Sequence, residues 1–380
     1  MRLGNQNKAI ELLVDGEKAF SRIIKRIRNA TKSIYISMFI WRDDKIGNSI
    51  LQELIDAADR GVKICIVKDK LGEVFEKSEE NKQSIFHKEF NFGLWFKAVA
   101  IDIMYPMRGK PRSRKQSSNP LVQKLLNYCN VDVNNEAILG DHSKYYIFDK
   151  DILIMGGMNI EDKTIYTDVE GKKYNDYMVE MVGSVYVEKF TQRLNTGIRF
   201  NEKSLVEFIF NARRNGEIIY GAKSRILRIL SSAKESIDII MAYIGDKEIT
   251  EKIIESANRG VSIKILLPAK SNIQHDLNMK VLKYIMKKTD NKVNVYLSKN
   301  MVHAKLIRVD NQVLTFGSTN LNKQAMKRLL ELNVFMKNYD QDFSEVLEES
   351  IQRNITDATR IRNGSSIKFN PIRAMLEQMV

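Results

Sequence analysis

Apolar residues recur at helical spacing from residue 17 to residue 30, EKAFSRIIKRIRNA, where Phe20, Ile23, Ile24 and Ile27 share one face and basic residues fill the other. Thr31-Lys32-Ser33 interrupts this pattern, and IYISMFIW (34–41) reads as a buried strand. The helical period returns over 47–60, GNSILQELIDAADR, with Ile50, Leu51, Leu54, Ile55 and Ala58 turned inward. Gly61 ends that helix, and VKICIVKD (62–69) reads as the next strand. Alternation of helix and strand predicts an α/β fold with a mainly parallel sheet covered by helices.

The second half repeats the order. Residues 224–244 match the first helix and strand, and 247–268 match the next pair. The helix ends carry a shared signature, Ala-Ala-Asp-Arg-Gly-Val at 57–62 and Ser-Ala-Asn-Arg-Gly-Val at 256–261. Downstream, GDHSKYYIFDKDILIMGGMN (140–159) and MVHAKLIRVDNQVLTFGSTN (301–320) agree at five positions. Counting from His142 or His303, a lysine follows at +2 (Lys144, Lys305) and an aspartate at +7 (Asp149, Asp310). A glycine stands at +14 and an asparagine at +17 (Asn159, Asn320). The chain has only four histidines, so two of them at matched positions argue for a duplicated unit with a paired site. We divide it at 1–204 and 205–380. From Gly61 to His142 is 81 residues and from Gly260 to His303 is 43, so the first half carries extra chain, which falls near 75–135.

Composition narrows the class. With 380 residues, each half can bury its own core, and 43% hydrophobic with 28% charged residues excludes extended disorder. The net charge of +14 favours an anionic partner, whether phospholipid surface, nucleic acid or phosphorylated substrate. Cys65 and Cys129 lie far apart without metal-ligand spacing, which indicates no disulfide framework. The first residues, MRLGNQNKAIELLVDGEKAF, contain no apolar signal core, and no stretch approaches the roughly 20 apolar residues of a spanning helix. The expected location is cytoplasmic, with peripheral contact at the inner face of the cell membrane.

H-x-K-x4-D followed by GG-x-N or GS-x-N, present twice, resembles the phospholipase D superfamily, and within it the bacterial cardiolipin synthase-like branch. That resemblance implies two similar α/β/α-sandwich domains about a pseudo-twofold axis, with one active site at their seam. It implies phosphodiester cleavage without metal or other cofactor. It places Asp149 and Asp310 in the signature, and suggests Asp176 and Glu331 as acids that orient the histidines. It also assigns nucleophilic attack to His142 and the acid role to His303. The second motif departs from the branch: Leu321-Asn322-Lys323-Gln324-Ala325 stands where Asp and Arg-Ser are usual, and Glu331-Leu332-Asn333 where Asn-x-Glu is expected. The acceptor is therefore left open between an alcohol and water.

The residue types suit that chemistry. A phosphodiester repels nucleophiles, so cleavage needs an attacking group, an acid for the leaving oxygen, and donors around the phosphoryl oxygens. Two imidazoles fill the first two roles, and one then deprotonates the acceptor. Lys144, Lys305, Asn159 and Asn320 would hold the non-bridging oxygens, helped by the turns at Gly157 and Ser318. If both motifs are strands, His142 with Lys144, and His303 with Lys305, point to one side. For Asp149 and Asp310, a second reading stays open, in which each fixes a turn or a lysine.

The extra segment includes FNFGLWFKAVAIDIMYPMRGKPRSRK (90–115), apolar and aromatic residues followed by Arg108, Lys110, Arg112, Arg114 and Lys115. One reading is peripheral membrane contact, and the other a core helix with a basic loop. Substrate expectations follow the same order: an anionic glycerophospholipid such as phosphatidylglycerol first, DNA or RNA as the alternative, and a non-catalytic binding scaffold third. A chain carrying both motifs is expected to act as a monomer.

Overall fold

The Arg-Gly-Val signature is built the same way twice in the computed structural model, which describes residues 9–78, 84–86, 92–105, 119–167, 173–196, 204–214 and 217–379. Helix α1 (Asp15–Asn29) precedes β2 (Ser33–Met38), and α2 (Lys45–Asp59) precedes β3 (Lys63–Lys68). At the end of α2, Gly61 has a φ of 84°, which a side chain rarely tolerates. Its N–H reaches the Ala58 carbonyl while that of Val62 reaches Ala57, the paired bonds of a Schellman cap. Arg60 donates to the Ile27 carbonyl at 2.9 Å, tying the end of α2 to the end of α1. In the second copy Gly260 (φ 95°) and Val261 cap the helix through Ala257 and Ser256, and Arg259 reaches Leu230, Ser231 and Ala233.

Contacts gather the chain into two compact units, Met1–Tyr166 with Met178–Gln192, and Thr167–Tyr177 with Arg193–Val380. The first contains β1 (Ile10–Val14), β4 (Val131–Asn134), β5 (Tyr145–Phe148), β6 (Ile152–Gly156) and most of β8 (Tyr177–Val182). Their order with β2 and β3 is β1-β8-β6-β5-β2-β3-β4. One sheet face, through Ile34, Ile36, Tyr146 and Phe148, shares a core with Phe20, Ile23 and Ile27 of α1 and Ile50, Leu51 and Leu54 of α2. The extra chain of this half includes α3 (Gly72–Ser78) and α4 (Phe92–Met104), with α4 held on α3 by Val74, Leu94 and Ala98, and α5 (Pro120–Leu126) then leads into β4. On the other sheet face Tyr145 meets Phe190 of α6 (Ser184–Thr196) edge-on, with ring centroids 4.8 Å apart. The basic residues from Arg108 to Lys115, and His87, lie outside the described residues.

The second unit includes the two-residue β7 (Tyr174–Asn175), then β9 (Val206–Arg214), β10 (Glu217–Tyr220), α7 (Gly221–Ser232), β11 (Ser236–Met241), α8 (Lys247–Asn258) and β12 (Ser262–Pro268). It continues with α9 (His275–Lys288), β13 (Asn294–Ser298), β14 (Met301–Val302), β15 (Lys305–Val309), β16 (Val313–Gly317), α10 (Lys323–Lys327) and β17 (Glu331–Lys337). Helix α11 (Gln341–Thr356), β18 (Ala358–Ile361) and the last helix, α12 (Pro371–Met379), complete it. Its sheet runs β10-β9-β17-β16-β15-β11-β12-β13-β18. The central run β17-β16-β15-β11-β12-β13 repeats β8-β6-β5-β2-β3-β4 of the first unit, so each unit has the same α/β design.

Both sheets are mixed, which corrects the mainly parallel arrangement read from the helix–strand alternation. β2, β3 and β4 are mutually parallel, but β5 and β6 return antiparallel, as do β15 and β16. Each returning pair is a tight hairpin, and so short a connection can only reverse the chain. Both turns have left-handed φ at their central residues, Asp149 (53°) and Lys150 (59°), then Asp310 (51°) and Asn311 (53°). That is the primed turn whose twist matches a tight hairpin.

Candidate active site

The motif aspartates sit in those turns. The Asp149 carboxylate accepts the backbone N–H groups of Thr31, Lys32 and Ser33, the last two at 2.7 and 2.9 Å. Asp310 does the same for Lys234, Glu235 and Ser236. Each thereby latches its hairpin to the start of the neighbouring central strand. Partial burial pushes both carboxyls up, and the three backbone donors together outweigh it, holding each below the ordinary range. Of the two readings left open by the sequence, these bonds describe the turn-fixing one.

The motif histidines lie just ahead of β5 and β15, outside the strand ladders. The strands supply the register and the preceding stretch presents the side chains. In the first unit the buried Asp69, directly after β3, accepts the Asp141 N–H at 2.6 Å and the Leu71 N–H at 2.7 Å, fixing the approach to His142. Burial pushes the Asp69 carboxyl up, against the pull of those two donors. The His142 ring stands edge-on to Phe39, centroids 4.9 Å apart. Lys144 is fully buried, lies over the same Phe39 ring at 5.3 Å and donates to the His142 carbonyl. The ammonium is thus folded back beside its histidine.

In the second unit the anchoring is more complete. The N–H groups of His303 and Ala304 both reach the Asn175 carbonyl, at 2.9 and 3.0 Å, and β14 pairs with β7. This places Asp176 against the imidazole: Oδ2 is 2.7 Å from His303 Nδ1, while Oδ1 accepts the Tyr177 N–H at 2.8 Å. A carboxylate at Nδ1 holds the proton there and leaves Nε2 as the working atom of the neutral ring. Tyr174 stacks on the other side of the ring, 5.6 Å away. Lys305 Nζ lies 3.0 and 3.1 Å from the two ring nitrogens and donates to the His303 carbonyl. His303 and Asp176 are 127 positions apart in sequence, so the fold brings them together.

The remaining candidates divide. Asn159 and Asn320 are buried, and each keeps Oδ1 without a hydrogen bond among the described residues. The Asn159 amide donates weakly to Glu161 at 3.4 Å. An oxyanion accepts hydrogen bonds, so the amide NH2, and not the unpaired Oδ1, is the group of each asparagine that can face a phosphoryl oxygen. Ser318 is already committed: its hydroxyl donates to Glu331 and accepts the Leu332 N–H at 3.0 Å, so it positions that carboxylate. Gly317 passes so close to β17 that a Cβ would lie 2.1 Å from the Leu332 carbonyl oxygen. Gly157 sits in the buried turn after β6.

Sequence reasoning missed Phe39, Asp69, Tyr174 and the Asn175 carbonyl. Asp69 had a signal, an acid at the carboxyl end of a parallel strand, where α/β sites collect. Comparison of the repeats hides it, because Pro268-Ala269 stands at the matching place.

Residues 23–196 and 226–355 match the family described as cardiolipin synthase, PLD-like domain. The chain belongs to this phospholipase D-like family. Among curated relatives of the family, the cardiolipin synthase of Clostridium perfringens strain SM101 is 24% identical, with 99% of this chain and 76% of that protein covered. The cardiolipin synthase of Listeria monocytogenes strain HCC23 is 23% identical, covering 92% of this chain and 69% of its own. A crystal structure of phosphatidylserine synthase from Haemophilus influenzae Rd KW20 shares the fold, with a TM-score of 0.72 at 14% identity over 98% of this chain and 93% of that one.

Proposed function

We propose that the protein is a phospholipase D-type phosphatidyltransferase. The observation that carries this reading is the Asp176–His303–Lys305 cluster, an oriented imidazole with a cation beside it, in a chain whose family members include cardiolipin synthases. His142 Nε2 attacks the phosphorus of an anionic glycerophospholipid, and the P–O bond to the departing alcohol breaks. His303 gives its proton to that alkoxide. The acceptor alcohol then loses its proton to His303 as its oxygen attacks the phosphohistidine, which restores both histidines. Lys144, Lys305, Asn159 and Asn320 hold the phosphoryl oxygens, and Asp176 and Glu331 act as positioning carboxylates. Because the chain carries both motifs, a monomer suffices.

Peripheral lipid contact through α4 fits the same reading. Phe92, Phe96 and Ile103 are exposed on that helix, while Leu94 and Ala98 face the protein. No helix among the described residues is long and apolar enough to cross a membrane.

The test uses phosphatidylglycerol vesicles and, separately, single- and double-stranded DNA, with products resolved by mass. A His142→Ala, His303→Ala double variant is the control. Cardiolipin plus glycerol supports phosphatidyl transfer. Phosphatidic acid would change the acceptor to water, and DNA fragments without lipid turnover would replace the reading with a nuclease. Turnover that survives in the double variant would refute the two-histidine chemistry.

A further inference from the structure

The last helix, α12, is attached to the second unit by its narrow side. Ala374 and Glu377 face inward. The Glu377 carboxylate accepts the Leu277 N–H at 2.7 Å, at the positive end of α9, and the Asp276 carboxylate accepts the Asn370 N–H at the same distance. The rest of the apolar residues point away from the protein. Ile372, Met375, Leu376 and Met379 are 69, 55, 43 and 65% exposed, and their spacing is i, i+3, i+4, i+7. That is one continuous stripe on a helix, a pattern that ordinarily marks a core face.

Charge identifies what covers it. Over residues 358–380 there is a single carboxylate side chain, Glu377, and it is only 1% exposed. The cationic side chains on the helix or just ahead of it are Arg373 and Lys368. An outward surface of apolar and cationic side chains without an exposed acidic one is complementary to an anionic bilayer: apolar groups enter below the headgroups and cations meet phosphates.

We propose that α12 is an interfacial anchor that docks the protein on anionic phospholipid membranes, lying in the headgroup plane. The anchor shares with the proposed function the premise of a lipid surface, but it is independent of the two-histidine chemistry. Nine residues seat only about two and a half turns in the interface, so binding is reversible and grows with the fraction of anionic lipid.

The experiment uses the full chain and vesicles of phosphatidylcholine with phosphatidylglycerol from none to half. Flotation measures partitioning. Turnover of a dispersed short-chain phosphatidylglycerol is measured in parallel. Replacing Ile372, Met375, Leu376 and Met379 by Ser should weaken partitioning at least about tenfold. Turnover of the dispersed lipid should hold. Lys368→Gln with Arg373→Gln should flatten the dependence on anionic lipid. A separate Met375→Trp variant should shift its emission to the blue on phosphatidylglycerol vesicles, which reports insertion even if the fourfold variant folds poorly. Unchanged partitioning in the fourfold variant, or no emission shift, overturns the anchor. A concentration-dependent dimer that the serines dissolve also overturns it, in favour of a second copy of the chain on this face. Loss of dispersed-lipid turnover in the unmodified protein would count against the proposed reaction and leave the partitioning result intact.

Discussion

Replacing Asp176 by Asn tests the site most sharply. The carboxylate holds the Tyr177 N–H on Oδ1 and His303 Nδ1 on Oδ2, with Lys305 Nζ 4.0 Å from Oδ2. An amide has one oxygen. It must stay on the backbone donor, because an NH2 there would face an N–H. The NH2 then turns to Nδ1 and donates, which moves the ring proton to Nε2 and opposes the doubly protonated ring that an acid requires. A charge-assisted bond of this kind contributes about 1.5–3 kcal/mol, and the donor–donor conflict in the protonated state costs about as much again. The total, about 3–6 kcal/mol, is a loss of roughly two to four powers of ten in kcat. KM should change little, since the carboxylate binds no substrate. The assay is steady-state turnover of phosphatidylglycerol in mixed micelles, beside a phosphodiester with a nitrophenol leaving group that needs little protonation. The nitrophenyl substrate should lose much less. If Asp176→Asn costs under about tenfold, or both substrates fall equally, or KM rises while kcat holds, the carboxylate does not act by setting the His303 tautomer.

Asp149→Ala removes three backbone bonds at a strand start and should cost about 1–2 kcal/mol, lowering the thermal midpoint by about 4 °C. Acid titration should show the same latch: with both turn carboxyls held below their ordinary range, their contribution is present above that range and disappears as pH falls through the folded values. Asp44, which caps α2, behaves oppositely. Burial, against the Asp162 and Gly47 N–H donors, raises it to about 7, so thermal midpoints should decline from about pH 4 to 7 and level off above, and Asp44→Ser should flatten that slope. Gly317→Ala drives a methyl into the Leu332 carbonyl and displaces the Ser318–Glu331 bond. It should destabilise by about 1–3 kcal/mol and reduce kcat, read by melting and turnover together.

The helices and strands of each unit were legible because their apolar periods are long and end at Gly61 and Gly260. The doubled motif located both histidines and both lysines, and the family resemblance drew attention to Asp176, which the fold brings to His303. Other features depend on pairing, which a local pattern does not encode. Strand direction was misread because an apolar run reads the same in parallel and antiparallel ladders. The aspartates' place became visible only once each hairpin lay beside β2 or β11. His142 and His303 precede their strands, so period two did not govern them. Asp69 has no counterpart in the second copy, and Tyr174 gains its place only when β7 meets β14.

The latch made by Asp149 and Asp310 means that the H-x-K-x4-D motif combines two separable duties. In the proposed reaction its histidine and lysine serve chemistry, whereas its aspartate serves assembly of the sheet. Selection acting on these duties would come apart in a descendant that abandoned catalysis: the histidine and lysine would be free to drift, while the turn aspartate would be retained by the need to fold. Catalytically silent members of such a lineage should therefore be sought by the aspartate and the glycine-rich return strand, rather than by the histidine that defines the active ones.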